Sequence, residues 1–251
     1  MSYILRYALG NNMLKEFFAT GSYKNEETLS AIQWYFESKN FHLEKAIVIR
    51  SPLTIEDQKE IRIAYSNYFI SLMAAIEVLL EPSYRHHQDF RVELFGALAF
   101  DGKSGEDCYN YLRELRNSIV HRGYDISSAA TFINGFPLLI APPEVPNPKG
   151  NKWYGTFGKS ILEVIERVEA VIGDVILEHA KRKQLFEPTY SDIKKKQIIL
   201  GVIPRIPHMP QWAKEMAVKA FDSIDFSEMI NTQNTKLEEI LTYKPLSKLV
   251  P

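Results

Sequence analysis

Residues 107–125 read DCYNYLRELRNSIVHRGYD. At about 100° per residue, Cys108, Leu112, Leu115 and Ile119 fall within one narrow arc, the stripe that an amphipathic helix turns to its core. Asn117 and His121, four apart, stand one above the other on roughly the opposite side. Arg113 adjoins that column, and Arg116 and Val120 flank it between the column and the core stripe. Ser104, with Asp107 three residues on, opens the helix as a capping box, and Gly123 closes it, so His121 lies in the last turn. The stretch predicts a helix with one face in a core and an Arg, an Asn and a His gathered on the other face near its end.

The neighbouring sequence repeats the helical pattern. Thr54 and Asp57 make another capping box ahead of Ile61, Tyr65, Tyr68, Leu72 and Ile76, and the helix runs to Glu81 before Pro82 stops it. Asn25–Lys39 and Phe41–Ile49 have mixed apolar spacing, and Phe90–Phe100 reads as a shorter helix ended by Asp101-Gly102. Lys159–Lys183 is the longest helix expected, with Ile161, Ile165, Val168, Ile172, Val175 and Ile176 on one face. From Ile126 to Phe157 the pattern breaks. Asn134-Gly135 between Thr131-Phe132-Ile133 and Phe136–Ile140 is a hairpin signal, Pro137 confines the second run to an edge, and Pro142, Pro143, Pro146, Pro148 and Gly150 read as an irregular connector. After Pro188 come a helix capped by Thr189 and Asp192 and ending at Gly201, a proline-rich link, and two further short helices. The expected fold class is all-α, an antiparallel helical bundle with one small non-helical insertion, divided as residues 1–53, 54–185 and 186–251.

Composition narrows the partners. The 251 residues carry 30 Lys plus Arg against 31 Asp plus Glu, a net charge of -1, which argues against a general electrostatic grip on duplex DNA. A single cysteine, Cys108, rules out an internal disulfide framework and a cysteine-built metal site. The first residues lack a signal peptide's basic-then-apolar order, and the richest apolar run, Phe69–Leu80, is short and carries Glu77, so a cytoplasmic protein without a membrane partner is expected.

The residue types on the polar face suit metal-free phosphate chemistry. A histidine moves protons near neutral pH, an arginine fork holds phosphate and offsets charge building on it, and an asparagine orients either. The segment offers no second histidine or matched carboxylate for a metal. The bland alternative is a histidine placed against the helix dipole beside ordinary surface residues.

Arg116-Asn117-Ser118-Ile119-Val120-His121 resembles the R-x4-6-H motif of HEPN domains, including the polar residue that follows the Arg. The resemblance covers residues 54–185 and implies a metal-independent endoribonuclease without a cofactor. In a homodimer, two copies of Arg116 and His121 would build one cleft. His121 would be the general acid or base, Arg116 would stabilise the phosphorane, and Asn117 would orient His121 or the phosphate. It also implies an RNA substrate and a defence or growth-arrest setting with a cognate antitoxin. In one toxin group of this family a tyrosine stands two residues after the His and is modified by the antitoxin; here Tyr124 is three after His121. The rival reading is a non-catalytic dimeric interaction or nucleotide-binding module in which Arg116 and His121 only stabilise the dimer.

Elsewhere, Glu77 in SLMAAIEVLL reads as a surface residue on the polar edge of its helix, the alternative being support of Arg116 from the preceding helix. His86-His87 point in different directions, which disfavours metal binding. Lys181-Arg182-Lys183 complements a helix C-terminus, and Lys194-Lys195-Lys196 reads as a solvated run. A DNA-binding helix pair within Gln211–Leu241 lacks the necessary basic charge. No P-loop, dinucleotide glycine pattern or serine elbow is present.

Overall fold

The computed structural model describes residues 23–187, 193, 196–197, 200–201 and 203–249. Thr189 and Asp192, with Lys194 and Lys195 of the lysine run, lie outside them. The fold is mostly helical: α1 (Tyr23–Val48), α2 (Ile55–Leu80), α3 (His87–Ala97), α4 (Gly105–Arg122), α5 (Ile161–Glu169), α6 (Ile172–Arg182), α7 (Gln211–Asp222) and α8 (Phe226–Thr242). Between α4 and α5 stand four short strands, β1 (Ala130–Ile133), β2 (Phe136–Leu139), β3 (Glu144–Pro146) and β4 (Trp153–Gly155). The chain divides into two compact units, one of residues 30–183 and 238–251, the other of residues 1–29 and 184–237.

In the larger unit α2 is the central core helix. Thr54 accepts the Asp57 backbone N–H while the Asp57 carboxylate accepts the Thr54 N–H, so both free donors are met. Ile61, Tyr65, Tyr68, Phe69, Leu72, Ile76 and Leu79 are buried, and each such side chain contributes about 1.5–3 kcal/mol when removed from water. By length and composition α2 is the one described helix able to cross a membrane, which corrects the shorter apolar run read from sequence; 56% of that window is buried, so its apolar surface serves the core.

Three further expectations change. The two segments read before Pro52 form one 26-residue helix, α1, equal in length to α2. The long helix expected over 159–183 is two, broken at Ala170 and Val171, where Glu169 turns inward to Lys39 and Gly173 meets the Leu241 carbonyl too closely for any Cβ. The proline-rich connector contains a second hairpin, β3–β4, pairing Val145 with Tyr154 and Pro146 with Trp153. The Asn134-Gly135 hairpin forms as its turn residues demand, with Asn134 and Gly135 both at positive φ and Phe132 opposite Pro137.

Two buried polar clusters of this unit are partnered from within it. Lys39 Nζ donates to both Glu169 carboxylate oxygens at 2.8 Å and to Asn40 at 2.8 Å, and Tyr68 OH donates to Glu169 at 2.6 Å. His179 lies between Glu93, on Nδ1 at 2.7 Å, and Tyr84 OH, on Nε2 at 2.9 Å, tying α6 to α3. In the smaller unit α7 follows a 3-10 turn (Ile203–Arg205), and Lys214 donates to the Pro204 carbonyl at 2.8 Å.

Candidate active site

The candidate site lies on α4, whose ends form as their sequence specifies. Ser104 Oγ accepts the Asp107 N–H at 3.1 Å. Gly123 takes a left-handed conformation (φ 68) and returns its N–H to Ser118, which places His121 in the final turn. The buried arc is broader than the narrow stripe expected. Cys108, Tyr111, Leu112 and Leu115 are buried, and so are Glu114 and Ser118, while Ile119 is only half-buried. The opposite strip carries Arg113, Arg116, Asn117, Val120 and His121.

One side of the strip is bounded by α2. The Arg116 guanidinium pairs with Glu77, and Arg62 pairs with Asp125 at 3.4 Å. These two links run in opposite senses along the chain, so α2 and α4 are antiparallel. Ile63, Ile70 and Val120 are exposed. Glu77 therefore takes the role placed second from the sequence. A single carboxylate does not meet all the donors of the fork, and Arg116 Nε is buried without a hydrogen-bond partner, a condition that costs about 1–3 kcal/mol.

The β3–β4 hairpin bounds the other side. Arg122 donates to the Pro146 carbonyl at 2.8 Å, and Tyr111 OH to the Pro142 carbonyl at 2.9 Å. Beneath this edge is Glu114, a residue the sequence reading passed over. Its side chain is 1% exposed and faces Arg113 and Arg122, each at 3.3 Å, and the Asn117 amide at 3.4 Å. Charge could have found it: an acid within the buried arc of an amphipathic helix, flanked by two arginines, needs those cations.

The three expected site residues share the strip without touching one another. Five residues of helix turn Arg116 about 140° away from His121, with Asn117 between them. His121 is exposed and makes no hydrogen bond or ion pair among the described residues. Burial holds the Tyr109 phenol, one turn before Arg113, above its usual range, and the Glu77 charge adds to this. Tyr124 is half-buried, and burial likewise raises its phenol. His86 and His87 separate as expected: His86 accepts from Arg85 Nε at 2.9 Å, and His87 Nδ1 meets the Tyr84 carbonyl at 2.9 Å. Among the described residues no cluster of three or more His, Cys, Asp or Glu side chains is placed to hold a metal ion.

Compared with protein-family models, with curated proteins and with solved structures, the chain finds no match. The site must be read from its own geometry.

Proposed function

We propose that the chain is a homodimeric, metal-independent endoribonuclease of the HEPN type, with Arg116, Asn117 and His121 as its site residues. The observation that carries this reading is the open strip of α4. It presents the unpartnered His121 imidazole and the exposed Val120, and further along the Arg116 guanidinium, 19% exposed and held by Glu77. One chain offers Arg116 and His121 to different directions, whereas two copies meeting along the apolar border would set the Arg of one near the His of the other.

In that cleft His121 takes the proton from a ribose 2′-OH, and the freed oxygen attacks the adjacent phosphorus. The P–O5′ bond breaks, the leaving oxygen receives a proton from the partner's protonated imidazole, and a 2′,3′-cyclic phosphate remains. The Arg116 guanidinium, steadied by Glu77, offsets charge on the phosphorane oxygens. The Asn117 amide, steadied by Glu114, orients the phosphate. The need for a 2′-OH selects RNA over DNA.

The test is RNA cleavage in EDTA by the wild-type protein beside Arg116→Ala and His121→Ala, with product ends analysed and oligomer mass measured. Loss of about 10²–10⁴-fold in rate, with dimer and helix content intact, supports the reading. A second reading rests on the Glu77–Arg116 ion pair, which joins α2 to α4 and is enough by itself to account for Arg116. A dimer that cleaves no RNA, and that dissociates in Arg116→Ala, would make the chain a binding module.

A further inference from the structure

The β3–β4 hairpin carries groups that the cleavage chemistry does not use. Val145 and Tyr154 form its buried inner face, whereas Trp153, opposite Pro146 in the register, is 57% exposed. Pro146 is the residue whose carbonyl accepts Arg122, the chain neighbour of His121. Trp153 therefore stands one strand-to-strand step, about 5 Å between backbones, from a point hydrogen-bonded to the last turn of α4. Between Glu144 and Lys159 the only charged side chains are Lys149 and Lys152, and both are exposed. The turn that bears them is braced: Asn147 Oδ1 accepts the Asn151 N–H at 3.1 Å, and Asn147 Nδ2 donates to Asn151 Oδ1 at 2.8 Å.

An exposed indole on a braced support costs little entropy to order when a flat ring stacks on it. Lys149, four residues away, and Lys152, whose ammonium rests 4.7 Å from the centre of the Tyr154 ring, stand with no carboxylate between them and match the phosphates that flank such a ring. Stacking on aromatic side chains beside cationic groups is how single-stranded nucleic acid is held without sequence readout. A second copy of this chain is a weaker occupant, because two hairpins meeting there would oppose lysine to lysine. We infer that the β3–β4 hairpin is a single-strand RNA-binding arm, Trp153 stacking on a base and Lys149 and Lys152 meeting the adjoining phosphates, next to the cleavage site. The inference takes its substrate class from the ribonuclease reading.

The test is fluorescence anisotropy of a labelled single-stranded oligouridylate with the full chain carrying His121→Ala, so that cleavage does not intervene. Adding Trp153→Ala weakens binding about tenfold, Trp153→Phe restores most of it, and Lys149→Ala with Lys152→Ala weakens binding and flattens its salt dependence. Failure of the His121→Ala protein to bind, affinity unchanged by Trp153→Ala, or a changed oligomer mass in Trp153→Ala would each overturn the arm. The two readings fail separately. A wild type that binds through Trp153 yet cuts nothing keeps the arm and loses the nuclease, whereas cleavage with a KM indifferent to Trp153→Ala does the reverse.

Discussion

Two polar clusters in the larger unit solve opposite problems. Around Lys39, every buried group is answered from within: the ammonium by Glu169 and Asn40, the carboxylate by Lys39 and Tyr68. Desolvation lowers the Lys39 pKa, and the Glu169 charge partly restores it, as expected of an ion pair sealed from water. On the α4 strip the account is left open, with Arg116 Nε unmet and His121 exposed without a partner. A closed cluster serves the fold of one chain. The strip leaves the His121 ring exposed to whatever lies outside the chain.

Breaking the closed cluster should have the largest effect. Lys39→Ala or Glu169→Ala strands a buried charge and should cost about 3–5 kcal/mol in urea unfolding. Lys39→Met with Glu169→Leu and Tyr68→Phe should recover most of that loss; a triple variant as unstable as the singles would show that the charges themselves hold the fold. Glu114 is a buried acid of α4 that meets Arg113, Arg122 and Asn117. Its removal leaves Arg113 and Arg122 facing each other, and Glu114→Ala should cost about 1–3 kcal/mol and lower cleavage by releasing Asn117. Full activity in this variant would sever Glu114 from the site.

Acid titration should also separate the regions. Burial lowers the His179 pKa from 6.5, outweighing the opposing pull of Glu93. The neutral ring thus donates from Nδ1 to Glu93 and accepts from Tyr84. Below about pH 6.5 the unfolded chain binds more protons than the folded one, so stability is full above that pH and declines as the pH drops. In His179→Gln this decline should shrink in urea midpoints measured from pH 7.5 to 5.5. An unaltered slope would assign the decline to other groups.

The smallest stability effects belong to the strip. Glu77 is 39% exposed, so solvent screening keeps Glu77→Gln within about 1 kcal/mol, while His121→Ala should stay within about 0.5 kcal/mol. A loss of several kcal/mol in His121→Ala would make the open cluster a hidden part of the core and end the contrast.

The strip was legible because its signals are local. A cap at Ser104, a stop at Gly123 and spacings of three and four residues set which side chains share a face of α4, whatever surrounds it. The Asn134-Gly135 turn was legible for the same reason. The β3–β4 hairpin was not: its prolines hid strand pairing that depends on Val145 and Tyr154 finding the bundle. Nor was the break near Ala170, since the apolar stripe runs on across it and its companions, Lys39 and Leu241, lie far away in the chain.

The amino-acid order by itself determined the capped start of α2 and both ends of α4, and that Asn117 and His121 face away from the apolar stripe with Arg116 on its flank, because backbone capping and helical period act within one or two turns. Only the tertiary structure decided which carboxylate each cation meets: Glu169 for Lys39, Glu77 for Arg116, Glu114 for Arg122. A charge pair depends on distance through space, and the path of the chain sets that distance.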